Sequence, residues 1–305
     1  MRPFIKLKPK AGKSGHSLSK STYMITTTEM QPCEVVVPHC CLLGEGPVWD
    51  EKTGSICWVD ILNGRIHEYQ PAGNVHRTHQ ADSLVGAVAI CENGDFIAGL
   101  REGLAFVGRS SGRIKLLHHP EAHLPQNRYN DGKCDPEGRF LIGSTALNHK
   151  KQAGNLYLLD HDLRCTAQLQ GVTMSNGMAW SPDGRTFYYI DTPTFEVAVF
   201  DYDTETGSIG PKRSAFPIPE TEGLPDGMTI DCEGMLWIAH WDGWQVARWN
   251  PETGKKLCSI RLPVAFVTSC TFGGDNLQDL YITSASIGLN EKQHDEQPLA
   301  GSLFV

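Results

Sequence analysis

Five times along this chain a glycine opens a strand-like segment: Gly46, Gly86, Gly132, Gly177 and Gly227, at intervals of 40 to 50 residues. A period in that range marks a repeat architecture, in which one supersecondary unit recurs and buries its apolar face against its neighbours. The first copy runs from Gly44 to Asp50, continues with Ser55 to Asp60, and adds a third segment from Arg65 to Tyr69. The fourth shows the same parts: Asn176 to Trp180, the turn Ser181-Pro182-Asp183-Gly184, Thr186 to Asp191, then Glu196 to Phe200. The fifth runs Asp226 to Ile230, the turn Asp231 to Gly234, Met235 to Ala239, and Gln245 to Trp249. Copies two and three carry the matching turns Glu92-Asn93-Gly94 and Asp135-Pro136-Glu137-Gly138. A weaker sixth copy begins near Thr268 and ends at Val305.

Each segment is short, rich in β-branched and aromatic residues, and bounded by Gly, Asp or Pro, which is hairpin chemistry. The turns supply the glycine that a left-handed position needs. Helical periodicity is absent over any long stretch. Six radial sheets of about four strands make an all-β, six-bladed β-propeller the expected fold. A pair of sandwiches or one large barrel would not explain a fixed order of turn types in each copy. The expected organisation is a disordered extension over 1–30 and one propeller domain over 31–305, with the last strand, Leu303 to Val305, closing the ring against Cys33 to Val37.

The net charge of −8 offers nothing to nucleic acid or an anionic membrane. No apolar run approaches the roughly 18 residues that span a bilayer. Residues 1–30 are basic and Ser/Thr-rich and lack the apolar stretch of a secretory signal. The ten cysteines are scattered, with no CxxC pair. They read as buried reduced thiols rather than a zinc-cysteine site, which fits a cytoplasmic protein. The expected state is a monomer or homodimer.

In a propeller the innermost strand of each blade starts at the mouth of the central channel. The residue before each repeat glycine is therefore the place to look for chemistry. Those residues are Glu45, Val85, Asp131, Asn176 and Asp226, with Asn130 and Arg128 just upstream in the third copy. Two carboxylates and an amide oxygen suit a hard divalent cation: calcium, magnesium or manganese, with zinc also accepted. Three protein ligands would leave positions for water and substrate, as catalytic sites do. Asn-Gly and Asp-Gly are equally the stuff of plain hairpin turns, and spacing leaves both readings open.

The segments GEGPVWDEKTGSICWVDI (44–61), NRYNDGKCDPEGRFLIGS (127–144), SNGMAWSPDGRTFYYIDT (175–192), PDGMTIDCEGMLWIAHWDG (225–243) and TSCTFGGDNLQDLYITSA (268–285) resemble the SMP-30/gluconolactonase/luciferin-regenerating family, which includes regucalcin-like proteins. The resemblance spans residues from about 40 to 305. It implies one divalent metal on the propeller axis, held by Glu45, Asn176 and Asp226, with Asp226 as the acid/base residue. It also implies Arg128 and Asn130 as contacts to a small-molecule sugar lactone. Sugar-binding members place a glutamate near the position of Asn148. Asn148 can hydrogen-bond a hydroxyl but carries no charge.

The reaction expected is metal-assisted hydrolysis of a sugar lactone, with Asp226 taking a proton from water and Arg128 beside the oxyanion. Alternatives are a calcium-binding regulatory protein, a phosphotriesterase- or arylesterase-like hydrolase on the same site, and a protein-binding scaffold. The one GxSxG-like stretch, Gly108 to Gly112, reads as an exposed turn and not a serine nucleophile. His240 and Trp241 end a strand near the channel mouth and are candidates for the substrate pocket. His118, His119 and His123 lie in a Pro-containing loop, and His67 reads as solvated on an outer strand. Most tryptophans read as packing between blades, with Trp241 and Trp244 the exceptions.

Overall fold

A strand that alternates or runs apolar must bury what it exposes, and consecutive hairpins do so by pairing and then stacking as sheets. In the computed structural model, which describes residues 33–305, this yields six four-stranded antiparallel sheets. The expected extension over 1–30 lies outside the described residues. Blade 1 comprises Gly44–Asp50, Ser55–Asp60, Arg65–Gln70 and Val75–Gln80. Blade 2 comprises Val85–Ile90, Phe96–Leu100, Gly103–Val107 and Ile114–His118. Blade 3 comprises Asn127–Cys134, Phe140–Ala146, Gly154–Leu159 and Cys165–Val172. Blade 4 holds Ser175–Trp180, Thr186–Asp191, Glu196–Asp201 and Arg213–Pro217, and blade 5 holds Leu224–Ile230, Leu236–Trp241, Gln245–Asn250 and Lys255–Arg261. The fold is the six-bladed β-propeller that the period predicts.

Blade 6 is shared between the chain ends. Val267–Gly273 and Asp279–Ser284 are completed by Leu303–Phe304 and, outermost, Val35–Val37. Val35 faces Phe304 and Val37 faces Leu303. Glu34 and Val305 exchange two backbone hydrogen bonds of 2.8 Å. Pairing the two chain ends in one blade fastens the ring, and the radial repeat leaves only short sheet edges.

The core lies between blades as much as within them. Ala87, Ile97 and Leu104 of blade 2 pack in one cluster with Tyr129, Phe140 and Ile142 of blade 3. Trp49 of blade 1 stacks on Tyr281 of blade 6 with centroids 5.6 Å apart, and Trp237 of blade 5 meets Phe272 of blade 6 edge-on. These two tryptophans do pack between blades.

The innermost strands share a local irregularity that the sequence hid. In every blade the register slips near the start of that strand: between Glu45 and Val48, Val85 and Val88, Tyr129 and Gly132, Ser175 and Met178, Pro225 and Met228, and Val267 and Ser269. A bulge of this kind bends the strand and re-aims a side chain. Asn130, Asp131, Asn176, Asp226 and Thr268 sit inside these slips, and Glu45 is the last paired residue before its own. The repeat glycines permit the crowding that results. A Cβ on Gly177 would lie 2.7 Å from the Asp226 carbonyl oxygen, and one on Gly86 would lie 2.4 Å from the Tyr129 carbonyl carbon. Backbone-to-backbone approach this close admits no side chain.

One expectation is corrected here. His67, read as solvated, is fully buried. Its strand, Arg65–Gln70, is the third of its blade but is covered along its length, with Trp58 stacked beside the imidazole at 5.0 Å. The segment that links the closing strand to blade 1 brings His39 over the same ring, centroids 4.6 Å apart.

Candidate functional site

Residues more than a hundred positions apart meet at the axis because successive bulges point at it. Glu45, Asn130, Asp131, Asn176 and Asp226 are all buried. The Asn130 amide donates to the Asn176 side-chain oxygen at 2.9 Å and to the Ser175 carbonyl at 2.8 Å. The Asn176 amide donates to Thr192 Oγ1 at 2.7 Å, and that hydroxyl donates to the Pro225 carbonyl at 2.8 Å, next to Asp226. This chain fixes the Asn176 rotamer and identifies its oxygen by what its nitrogen bonds. Arg128 donates to Asn130 Oδ1 at 2.6 Å and to its neighbour's carbonyl, Tyr129 O, at 2.9 Å.

The electrostatics report convergence. Burial, then the charge of Asp131, raises the Glu45 carboxyl to about 8. Burial, then the charges of Glu45 and Asp131, raises Asp226 well above the ordinary carboxylate range. The two carboxyl groups are close enough for one to donate its proton to the other. Burial lowers Arg128 to about 10 while Glu45 and Asp226 pull it back up. Asp226 Oδ1 is buried with no hydrogen-bond partner. Two buried acids with raised affinity for protons, one orphaned oxygen and an adjacent amide oxygen form a donor set that fits a hard dication. A cation there would replace the shared proton.

The sign of the pH effect follows. Carboxyls raised above their unfolded values stabilise the folded state fully below pH 4.5 and lose that contribution as pH rises through 8. The size is on the order of a few kcal/mol, because each tenfold gain in proton affinity is worth about 1.4 kcal/mol. In chelator, the Tm of the wild type should therefore fall more steeply from pH 5 to 8 than that of Glu45→Gln. Parallel slopes would show that Glu45 does not share a proton in this site.

Two neighbours carry signals the sequence pattern only half revealed. Asp131 sits at the repeat phase and adds a third carboxyl to the field. Lys133, two residues on, is an axial cation that the repeat pattern did not single out. It donates to the Met228 carbonyl in blade 5, and burial lowers its pKa while Asp131 raises it. The charge of Asp131 acts on Lys133 directly, which puts the two side chains near one another. Glu121 has no signature in the repeat either. It accepts from Ser144 Oγ at 2.7 Å, Asn155 Nδ2 at 2.8 Å and Asn127 Nδ2 at 3.1 Å. It ties the loop before Asn127 to blade 3 beside a cavity of about 200 Å³, lined by Arg101, Glu102, His119, Glu121, Asn127 and Arg128.

The remaining candidates lie outside this hydrogen-bonded cluster. Asn148 is exposed in the turn after Phe140–Ala146, where its Oδ1 accepts from the Lys150 backbone at 3.2 Å. Trp241 is half-buried and stacked on Phe266 at 4.3 Å, at the end of a strand that pairs with Leu224 and Pro225. His240 is fully enclosed: the Trp249 indole donates to its Nε2 at 3.3 Å, and burial lowers it to about 4. His119 and His123 are exposed, and His118 bonds the Leu163 carbonyl. Residues Gly108 to Gly112 form a surface turn, as expected. Among the described residues no helix is long and apolar enough to cross a membrane.

The chain is similar to known proteins over most of its length. The chain is 39% identical over 267 residues to the regucalcin of Gallus gallus, covering 86% of this chain and 89% of that protein. It is 36% identical over 263 residues to YvrE of Bacillus subtilis (strain 168), provisionally named a sugar lactone lactonase, covering 86% of this chain and 90% of that protein. The solved structure of a calcium-binding protein, regucalcin, from Agrobacterium tumefaciens superposes with a TM-score of 0.86 at 27% identity, covering 90% of this chain and 92% of that one. The family described as SMP-30/Gluconolactonase/LRE-like region matches residues 43–286, a span that includes every axial residue above, and the chain belongs to that family.

Proposed function

We propose that the protein hydrolyses a sugar lactone to the corresponding sugar acid, using a divalent cation held by Glu45, Asn176 and Asp226. The observation that carries this reading is the buried cluster itself: two proton-hungry carboxyls, an oriented amide oxygen and the partnerless Asp226 Oδ1 on converging bulges. The family's description, which includes gluconolactonase, supports the choice of reaction. A bound dication supplies Lewis-acid polarisation of the ester carbonyl and a lowered pKa for water.

The chain's own residues do the rest. Asp226 accepts the proton of the attacking water and returns it to the departing ring oxygen. Arg128 places a positive charge beside the site, where negative charge grows on the carbonyl oxygen. Asn130 holds Arg128 and Asn176 in register, so its contribution to substrate binding includes their orientation. The free amide of Asn148 donates to a sugar hydroxyl. Trp241 presents a half-buried ring to the apolar face of the sugar. His240 is enclosed and takes no part in substrate contact.

The alternative with a specific observation behind it is calcium binding without turnover, since the Agrobacterium tumefaciens protein is a calcium-binding one. One experiment separates the two. Chelated protein is screened with a pH indicator against a panel of aldonolactones and a phosphotriester, then again after adding Ca²⁺, Zn²⁺, Mn²⁺ or Mg²⁺. Acid release from a lactone that appears only with metal is the expected result. Metal binding with no turnover of any lactone would favour the calcium-binding reading.

A further inference from the structure

The axial site uses oxygen donors, yet the molecule also gathers nitrogen and sulfur donors at its ring closure. A ring nitrogen of His39, the sulfur of Cys41 and a ring nitrogen of His67 all lie within 4.8 Å of one another. His39 and Cys41 belong to the segment between Val35–Val37, the closing strand, and Gly44–Asp50, the innermost strand of blade 1. His67 comes from Arg65–Gln70, deep in blade 1. Cys41 and His67 are fully buried and His39 is half-buried.

The hydrogen bonding of the cluster is incomplete in an informative way. Nε2 of His67 and Nε2 of His39 are both buried with no partner. An unsatisfied polar atom in a closed site is costly unless something fills it. The other nitrogen of His67 is fully engaged: Nδ1 contacts Thr78 Oγ1 at 3.0 Å and His76 Nε2 at 3.1 Å. That is the arrangement of a metal-ligating histidine, one nitrogen fixed by outer partners and the other left to the ion. Trp58 stacks on both His67 and His76, which holds the rings in place.

We propose that His39, Cys41 and His67 form a second metal site, for a borderline-soft d¹⁰ cation of the zinc class, separate from the axial centre. Two imidazoles and a thiolate select zinc over calcium or magnesium, which take oxygen. Zn–N bonds of about 2.0–2.1 Å and Zn–S bonds of about 2.3 Å put neighbouring donors of a zinc tetrahedron about 3.5 Å apart, within the spread seen here. On binding, the Cys41 S–H bond breaks, its proton leaves to solvent, and the sulfur bonds the cation, so one proton is released per ion. Burial pushes the free Cys41 thiol up to about 12, so the thiolate forms only beside a cation. Burial holds His67 neutral, with a value lowered to about 3, so its lone pair is available. A half-buried His39 and an exposed His76 give the ion a route in. The site would clamp the linking segment onto blade 1, adjacent to the strand pairing that closes the ring.

Cobalt reports this site without interference, because a thiolate–cobalt charge-transfer band cannot arise from oxygen donors. Chelated full-length protein is titrated with Co²⁺, then with Zn²⁺. The wild type and Asp226→Asn should both show the near-ultraviolet thiolate band with tetrahedral d–d absorption, and excess Zn²⁺ should displace it. Cys41→Ser should lose the band entirely, and His39→Ala should weaken Zn²⁺ binding at least tenfold. If the buried Cys41→Ser change impairs folding, judged by circular dichroism, the half-buried His39→Ala variant decides. A wild type that takes up cobalt with no thiolate band overturns the proposal. So does a band that survives in folded Cys41→Ser, because another thiol would then be the ligand, or unaltered Zn²⁺ affinity in His39→Ala.

Discussion

Asp226→Asn is expected to lower kcat for lactone hydrolysis by about 10²–10⁴-fold, the range lost with a positioned acid/base group. The substitution keeps shape and an oxygen donor, and it removes the one thing the mechanism asks of this side chain, a place for the proton of water. Metal binding should weaken but remain measurable. Stability should not suffer. Burial and the neighbouring charges of Glu45 and Asp131 already disfavour the Asp226 carboxylate, so an amide resembles the form the metal-free fold prefers. The chelated variant should therefore unfold at or above the wild-type temperature at pH 8. Circular dichroism, calorimetric metal titration and steady-state kinetics on one preparation check all three. Retention of full activity would remove Asp226 from the mechanism.

Glu45→Gln is expected to reduce affinity for the axial dication on the order of a hundredfold or more, because ligand charge sets affinity at oxygen sites. Glu45 is the only other carboxylate proposed as a ligand, and it is gripped in place by the Gly46 backbone N–H at 2.9 Å. Unlike Asp226→Asn, this variant should recover part of its activity when metal is raised, since the proton acceptor is intact. Isothermal titration calorimetry gives the affinity and activity against metal concentration gives the rescue. Affinity equal to wild type would mean that the cation is held by other residues.

The difference between these variants rests on features that are unequally legible in the chain. Glu45, Asn176 and Asp226 can be picked out because each precedes a repeat glycine and the repeat has one period. The substrate roles of Arg128 and Asn130 come only through the resemblance, because their copy of the repeat is offset by a residue or two. The structure places them in one hydrogen-bonded chain with Asn176. Lys133 escapes notice because a lysine in a strand ordinarily reads as a solvated face. Here it is half-buried and reaches the Met228 carbonyl of blade 5, a partner that exists only in the closed ring. His240 looks like a channel-mouth residue because it ends a strand, but its side chain turns into its own blade against Trp249. Which way a terminal strand residue turns depends on its neighbours and on no local rule.

His67 makes the same point more sharply. By position it lies in the third strand of a blade, where exposure is the reasonable expectation. It is buried in part because the segment that links the closing strand to blade 1 crosses it, bringing His39 and Cys41. No pattern over a window of neighbouring residues could contain that information.

By itself, then, the sequence determined the architecture. A hairpin with fixed turn chemistry, repeated every 40 to 50 residues, can bury its faces only by stacking against copies of itself around a common axis. Tertiary structure alone decided where the side chains of those copies point. The register slip at the head of each inner strand, not the glycine as such, swings the carboxyls and amides inward, and only ring closure makes them neighbours. Proton sharing by buried acids, and the meeting of two imidazoles and a thiol, are properties of that proximity. They fall off steeply with distance and so do not exist in the chain until it has folded.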